Sequence, residues 1–314
     1  MAHPKPLPLT PQLEQQLLLS LNRSNPTVIT HIADDGGDAE GWRCLLLNWA
    51  TSIGLRGLPG ARVVAVCLDA IVLSGCNAMT LTPPLGVARV DCLDGTDYGM
   101  VVHEMVRNVS HSYARHREPR RTALVQRDRY IALTWVKPTI VYTATSHGFG
   151  IIYSDCDIVF RSRLRVPSGA LGMMRDQSGY IVAPPYSSIV RAWYESGVSM
   201  RWTGSVVSGP NCCDQVALAQ TVREAEANRL VRRADEVAEP IQIFRTDFIP
   251  QCAEQGGHLS IGTHYNCIGD VANVTRTRLK AAAMRRNGQW HVANDSKCAA
   301  LERAGRALIL RARA

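Results

Sequence analysis

The spacing of apolar runs between residues 27 and 68 restricts the fold of this chain more than any other feature. A β-branched run at Thr27–Ala33 ends in a glycine turn, apolar residues at helical spacing follow at Trp42–Gly54, and Ala61–Leu68 is a second apolar run. A strand, a helix and a strand over about forty residues form a βαβ unit. Because such units pack helices against parallel strands, the sequence predicts an α/β fold with a mostly parallel sheet and helices on both faces.

The rest of the chain continues this alternation with less regular spacing. Pro138 is expected to kink or restart the helix in which it lies. The sequence shows no internal repeat and no low-complexity linker, so we predict an N-terminal arm and helix at 1–24, one domain at 25–298 and a basic C-terminal helix at 299–314. The further predicted helices are Leu13–Leu21, Asp97–Arg117, Leu124–Ser146, Trp193–Val198, Asp214–Leu230 and Leu279–Asn287, and the further predicted strands are Val87–Leu93, Ser178–Pro184 and Ile241–Phe248.

Charge and hydropathy exclude several classes of protein. The chain has 35 Lys and Arg against 27 Asp and Glu, a net charge of +8 that favours anionic partners such as phosphate-bearing small molecules or acidic glycans. It lacks the aromatic-studded basic motif of RNA-recognition domains, so no nucleic-acid partner is predicted. No apolar run is long enough for a membrane span and no secretory signal is visible, so the chain as given is expected to be soluble, with an upstream anchor as the rival explanation.

The ten cysteines contain no C-x-x-C pair, which disfavours zinc ribbons and thioredoxin-like sites. Their even number permits disulfides without showing them. Cys44 and Cys67 lie in apolar runs, where cysteine is commonly a small core residue. Four Asn-x-Ser/Thr sequons would suit a lumenal protein, and they lie at Asn22, Asn108, Asn273 and Asn294.

The strongest local signal is the block Tyr153–Phe160, in which two carboxylates lie between two apolar runs. Side chains two residues apart in an extended segment point to the same side, so Asp155 and Asp157 are expected to converge. Two buried, ionised carboxylates need a compensating cation, and their hard oxygen atoms suit Mg²⁺ or Mn²⁺. The alternative is a surface turn with two solvated aspartates.

Two further motifs carry residue types that could complete a site. His264 lies in Gly262–Asn266, and a single histidine is more often a hydrogen-bonding residue than a metal ligand. The motif Asn211–Gln215 opens a predicted helix, where Asp214 either caps the helix or holds a polar ligand.

In their order along the chain, these motifs resemble the nucleotide-diphospho-sugar transferase family of plants and algae. Its members include rhamnogalacturonan-II xylosyltransferases and extensin arabinosyltransferases. The resemblance covers roughly Thr27 to Trp290. It rests on the βαβ unit and on a lysine upstream of the block I-I-Y-S-D-C-D-I-V-F. The motifs that follow in order are S-G-Y-I-V, D-Q-V-A-L, H-Y-N-C-I-G and K-A-A-A-M-R-R-N-G-Q-W. It implies a GT-A, Rossmann-like fold.

The resemblance also implies an activity and a location. Members of this family are retaining, metal-dependent glycosyltransferases, and here the expected reaction moves a pentose or galactose from a UDP-sugar to a glycan or glycoprotein. The expected cofactor is Mn²⁺ or Mg²⁺. A Golgi-lumenal location follows by the same resemblance, with any membrane contact made only through an anchor outside this sequence.

Site residues are carried over motif by motif. Asp155 and Asp157 match the D-x-D that holds the metal and the ribose–diphosphate, and His264 matches the late metal-ligating histidine. Asp214 and Gln215 match the pair that faces the donor sugar, and Asp214 is the carboxylate nominated near the anomeric carbon. The remaining donor contacts are Lys280, with Arg276 or Arg278 as rivals, Lys137, and Asp69 for the nucleoside.

Two departures from the family pattern keep an alternative open. Cys156 stands between the aspartates where an apolar, non-thiol residue is usual, and the segment Asp176–Gly179 lacks the family's asparagine. The alternative is a catalytically inactive relative that binds a nucleotide or carbohydrate on the same fold. A hydrolase with a D-x-D nucleophile is disfavoured, because that class carries the motif near its N-terminus.

Overall fold

The computed structural model describes residues 7–23, 27–33, 38–81, 83–104, 132–164, 169–174, 177–199, 214–231, 240–244, 260–265, 276–292, 294–300 and 303–304. Several predicted features lie outside the described residues: helical residues 105–117 and 124–131, Asn211–Cys213, Asp176, the sequons at Asn108 and Asn273, the side chain of Arg276, and residues 305–314.

Helices and strands alternate in the first half of the chain, and the second half also has consecutive strands and consecutive helices. The helices are α1 (Pro11–Ser20), α2 (Ala39–Ser52), α3 (Ala70–Leu81), α4 (Val136–Ser146), α5 (Ser188–Ser199), α6 (Asp214–Val231) and α7 (Arg276–Arg286). The strands are β1 (Thr27–Ile32), β2 (Arg62–Cys67), β3 (Arg89–Asp94), β4 (Ile151–Ser154), β5 (Ile158–Phe160), β6 (Leu171–Met174), β7 (Gln177–Ala183), β8 (Ile241–Phe244) and β9 (Gly262–His264). Residues 96–104 and 296–300 are also helical.

The chain forms two compact units, each assembled from separate stretches of sequence. The first unit comprises Met1–Ser24, Gly95–Tyr153 and Pro167–Phe244, and the second comprises Asn25–Asp94, Ser154–Val166 and Arg245–Ala314. The predicted division at residues 24 and 298 remains a prediction.

The second unit contains the βαβ series predicted from the sequence. Its strands lie in the order β3-β2-β1 and both pairings are parallel, with Thr27 opposite Arg62 and Arg62 opposite Arg89. Most residues of β1 and β2 are buried, as expected for apolar strands of a parallel sheet. Helix α3 packs on β2 and β3, and α2 packs on α3 and α7.

The first unit has the strand order β4-β7-β6-β8. Strand β6 runs antiparallel to β7 and parallel to β8. Helix α5 packs between α4 and α6, and α6 also contacts β7. Three of the five pairings described in the two units, β1–β2, β2–β3 and β6–β8, are therefore parallel, while β5–β9 and β6–β7 are antiparallel. The predicted α/β fold with a mostly parallel sheet is confirmed.

Helix α3 was not predicted, because the sequence indicated only the strand Val87–Leu93 between Leu68 and Asp97. Its sequence, AIVLSGCNAMTL, is small or apolar nearly throughout and shows no clear polar face. Asp69 caps its start, since Asp69 Oδ1 accepts a hydrogen bond from Val72 N at 2.8 Å. Gly75 leaves room for Arg43, whose Cγ would lie 3.0 Å from a Cβ at that position.

Two disulfides join described residues of the second unit. Cys44 of α2 bonds to Cys298, and Cys76 of α3 bonds to Cys92 of β3. Cys44 is fully buried in the core, as expected, and the disulfide to Cys298 cross-links it there. Cys67 is a buried free thiol, as predicted, and burial raises its pKa well above the usual range.

No helix within the described ranges has both the length and the apolar character that crossing a membrane requires.

Candidate functional site

The two aspartates of the D-x-D motif lie in a turn between two buried strands. β4 ends at Ser154 and β5 begins at Ile158, and Ile158 N donates a hydrogen bond to Asp155 O at 3.1 Å. Ser154 is held from α2, because Trp49 Nε1 donates to Ser154 Oγ at 3.0 Å. The expected strands are present, but the aspartates converge through the turn and not through the alternation of an extended segment.

His264 is brought to this turn by strand pairing. β9 runs antiparallel to β5 with His264 opposite Ile158, and Tyr265 N donates to Asp157 O at 3.0 Å. The imidazole Nε2 lies 3.2 Å from Asp157 Oδ1 and 3.6 Å from Asp155 Oδ2. One ligand atom from each of the three residues lies within 4.8 Å of the other two.

Lys280 completes the charge of this cluster. Its Nζ lies 2.6 Å from Asp157 Oδ2 and 6.0 Å from the centre of the Trp42 ring. Burial by itself would raise the pKa of Asp157, but the positive charge of Lys280 and the contacts with His264 more than offset it and hold that pKa well below its usual range. Asp157 is therefore an ionised carboxylate in a buried position.

The donor set of this cluster fits a small divalent cation. Two carboxylates and one imidazole suit Mn²⁺ well, and the carboxylates suit Mg²⁺. Lys280 contacts Oδ2 of Asp157 while His264 contacts Oδ1, so the lysine and the candidate ligands occupy different sides of the carboxylate. The Asp155 side chain is 26% exposed, which leaves the cluster accessible from that side. We call Asp155, Asp157, His264 and Lys280 the acidic cluster.

A second charged cluster lies in the first unit. It contains the predicted site residues Lys137 and Asp214 and their neighbour Ser178. Lys137 Nζ lies 3.3 Å from Asp214 Oδ2 and donates to Ser178 Oγ at 3.1 Å. It also lies 5.2 Å from the centre of the Tyr153 ring. Lys137, Asp214 and Ser178 are all buried. We call these three residues the lysine–aspartate cluster.

The other predicted site residues have simpler surroundings. Gln215 is half-buried beside Asp214 at the start of α6, and Asp214 O accepts a hydrogen bond from Trp193 Nε1 at 2.8 Å. Asp69 caps α3, and its predicted contact with a nucleoside stays a prediction. Arg278, the described rival of Lys280, has a buried Nε with no hydrogen-bond partner among the described residues.

Sequence reasoning missed two contacts of these clusters. Ser178 stands in the segment where the family's asparagine is absent, and the structure places its hydroxyl on Lys137. Trp42 contributes an aromatic face near Lys280. No local pattern signals either contact, since each joins residues far apart in the chain.

Comparisons with protein-family models and with curated proteins find no match to this chain. Solved structures similar to it include mouse xyloside xylosyltransferase 1, with a TM-score of 0.48, 11% identity, and coverage of 79% of this chain and 99% of the other. The PaToxG glycosyltransferase has a TM-score of 0.35 and 12% identity over 70% of this chain and 77% of its own. The WbbM bifunctional glycosyltransferase has a TM-score of 0.40 and 10% identity over 78% of this chain and 46% of its own.

All three of these neighbours are glycosyltransferases by name. At scores and identities this low, the similarities define neither a family nor an activity for this chain. The narrower resemblance to the plant and algal family remains a prediction.

Proposed function

We propose that this chain is a metal-dependent glycosyltransferase of the GT-A type that uses a nucleotide-sugar donor. The observation that carries the proposal is the acidic cluster, in which Asp155, Asp157 and His264 present three ligand atoms within 4.8 Å of one another. The ordered motifs of the sequence agree with it, since the same three residues match the metal ligands of the family that the chain resembles.

The chemistry of sugar transfer explains why such a cluster would be useful. The leaving group is a nucleoside diphosphate, and a bound divalent cation would stabilise the negative charge that develops on it. Asp155, Asp157 and His264 would hold the cation, and Mn²⁺ fits the mixed oxygen and nitrogen ligands better than Mg²⁺. Lys280 holds the Asp157 carboxylate in place and adds a positive charge beside it.

The finer assignments belong to the same proposal. The donor is a UDP-sugar carrying a pentose or galactose, the acceptor is a glycan or glycoprotein, and the anomeric configuration is retained. Asp214 and Gln215 face the donor sugar, Lys137 contacts the donor, and Asp69 contacts the nucleoside. The buried contact of Lys137 with Asp214 supports a shared role for that pair.

We also propose that the protein works in an oxidising, lumenal compartment such as the Golgi. The two disulfides of the second unit support this, because disulfides persist in such compartments and are rare in the cytosol. The exposed sequon residue Asn294 would suit the same location.

The decisive experiment measures the melting temperature with UDP, with Mn²⁺ and with both, in the wild type and in Asp157→Asn. A ligand at about 100 times its dissociation constant stabilises by about 2.7 kcal/mol, which gives a readily measured shift. We expect UDP to raise the melting temperature only when Mn²⁺ is present, and this UDP-dependent shift to be lost in the variant. Asp91→Asn is the matched control. Asp91 lies in the same unit, but it forms an ion pair with Arg62 and is not part of the acidic cluster.

Turnover then separates the two candidate functions. A screen of UDP-sugars with Mn²⁺ should give release of UDP in the wild type and none in Asp157→Asn. Binding of UDP without turnover of any donor would favour the inactive, ligand-binding relative. No shift with any nucleotide would overturn the transferase proposal.

A further inference from the structure

A buried amide lies against both residues that flank His264 in the chain. The Gln289 side chain is 3% exposed, and its amide lies 3.2 Å from Thr263 Oγ1 and in hydrogen-bond contact with the Tyr265 hydroxyl. Both contacts exist with either orientation of the amide, and turning it places its oxygen toward the Arg161 guanidinium. Consecutive side chains of a strand point to opposite faces, so Gln289 contacts the face of β9 that His264 does not use.

The backbone of Gln289 is fixed in turn by α2 and α7. Asn48, which is fully buried in α2, donates from Nδ2 to Gln289 O at 3.1 Å and accepts at Oδ1 from His291 N at 2.6 Å. Gln289 N donates to Met284 O at 2.8 Å. Because the backbone is held at these points, the amide reaches β9 with little conformational freedom left to lose.

The geometry of the candidate metal ligands depends on where β9 lies. β9 has three residues, so few ladder hydrogen bonds fix it against β5. A shift of β9 would move His264 Nε2 away from Asp157 Oδ1, which is 3.2 Å distant. The contacts from Gln289 to Thr263 and Tyr265 oppose such a shift.

We propose that Gln289 is a positioning residue for the metal site: by holding Thr263 and Tyr265, it fixes His264 in register with Asp155 and Asp157. The inference rests on the proposed function, because it assumes that these three residues bind a divalent cation. When a group that orients a metal ligand is replaced, the metal affinity commonly falls about 10- to 100-fold.

The test measures Mn²⁺ binding directly, through the electron paramagnetic resonance signal of the free ion. Gln289→Leu keeps the size of the side chain and removes both hydrogen bonds, and we expect its Mn²⁺ dissociation constant to rise about tenfold or more. Gln289→Glu offers two acceptor oxygens to the hydroxyls of Thr263 and Tyr265, and we expect it to recover most of the affinity. Leu17→Ala, in the buried face of α1, is the control for a general loss of stability.

Binding is measured below the melting temperature of every variant. If the leucine variant does not fold, Tyr265→Phe provides the second test. It keeps the ring and removes one of the two contacts of Gln289, together with the hydrogen bond from Asn287 Nδ2 to the same hydroxyl, and it should show a smaller loss of affinity. If Gln289→Leu binds Mn²⁺ with wild-type affinity, the role of Gln289 is overturned and the proposed metal site is unaffected. The same holds for Tyr265→Phe where that variant is used as the test.

Two other outcomes also decide the question. Equal losses in Gln289→Leu, Gln289→Glu and Leu17→Ala would overturn the positioning role, because lost stability alone would then explain the weaker binding. Failure of the wild type to bind Mn²⁺ would overturn the proposed metal site and the role of Gln289 together. The other outcomes overturn only the role of Gln289, so the two failures can be told apart.

Discussion

Each unit of the molecule buries one lysine against one aspartate, but the two pairs differ in what surrounds them. Lys280 lies 2.6 Å from Asp157, and a second carboxylate and an imidazole lie beside that pair. Lys137 lies 3.3 Å from Asp214, and its other described contacts are the Ser178 hydroxyl and the Tyr153 ring.

The difference is one of charge balance. Among the described residues, one positive group meets one negative group in the lysine–aspartate cluster, so this pair is neutral without a ligand. In the described part of the acidic cluster two carboxylates share one lysine, and His264 Nε2 lies 3.2 Å from Asp157 Oδ1 and 3.6 Å from Asp155 Oδ2. A buried Lys–Asp pair is therefore not by itself a sign of metal binding. Several carboxylate and imidazole ligand atoms close to one another, with fewer cations than carboxylates, do indicate a metal site.

The largest expected effect comes from removing each lysine. Lys137→Met and Lys280→Met each leave a buried carboxylate without its cation, a change that typically costs about 3–5 kcal/mol. We expect Mn²⁺ at about 100 times its dissociation constant to stabilise Lys137→Met by about 2.7 kcal/mol, because that variant keeps all three candidate ligands. Lys280→Met should gain more at the same Mn²⁺ concentration, because the ion there also replaces the lost positive charge beside Asp157. Urea unfolding with and without Mn²⁺ measures both quantities.

A double variant controls for the lost packing. Lys137→Met combined with Asp214→Leu removes both charges, so it should cost less stability than Lys137→Met alone. Equal stabilisation of both single lysine variants by Mn²⁺ would contradict the distinction between the two clusters.

An acid titration should give the next largest effect and should isolate Asp157. Lys280 and His264 outweigh the burial of Asp157 and lower its pKa below the value near 3.9 of an unfolded chain. The ionised group therefore stabilises the fold above about pH 4, and this contribution is lost as the pH falls toward the folded-state pKa. We expect Asp157→Asn to be less stable at neutral pH and to lose less stability below about pH 4.

The control for this titration is Glu195→Gln on the first unit. Glu195 pairs with Arg191 at the surface, where ion pairs contribute little. Its acid profile should follow that of the wild type, measured by urea unfolding at each pH. A wild-type acid profile in Asp157→Asn would mean that the acidic cluster does not hold Asp157 in its ionised form.

Local sequence patterns predicted part of the fold closely. The strands expected at Thr27–Ala33 and Ala61–Leu68 are found at Thr27–Ile32 and Arg62–Cys67, because short apolar runs bounded by turn residues leave little choice. Helix α3 was missed because its small and apolar residues give no helical period of polar positions. Strand β6, with its four buried residues, carried no recognisable alternation either.

The candidate site was predictable where its residues form motifs. Asp155, Asp157 and His264 were expected to act together, and the structure brings them together. The contacts made within each of the two charged clusters and behind β9 were not predictable, because they join residues far apart in sequence: Lys137 and Ser178 are 41 residues apart, and Thr263 and Gln289 are 26 apart. Such contacts follow from tertiary packing, which local patterns do not encode.

The smallest expected effect concerns Asp69, and it tests whether the ligand site of the second unit extends beyond the acidic cluster. Asp69 caps α3 through Val72 N, and losing such a cap costs about 1 kcal/mol. We expect Asp69→Ala to lose about that much stability and Asp69→Ser to recover it, because serine caps a helix equally well. The UDP-induced shift of the melting temperature in Mn²⁺ should fall in both variants if the carboxylate also contacts the nucleoside.

The serine variant separates the two roles of Asp69, since it keeps the cap and removes the carboxylate. An unchanged UDP shift in Asp69→Ser would restrict Asp69 to capping and would leave nucleoside binding to other residues. A reduced shift at wild-type stability would show that the carboxylate acts on the ligand, because the fold would be intact. The end of β2 would then contribute to the donor site together with the turn after β4, as parallel strands in an α/β fold commonly do at their carboxyl ends.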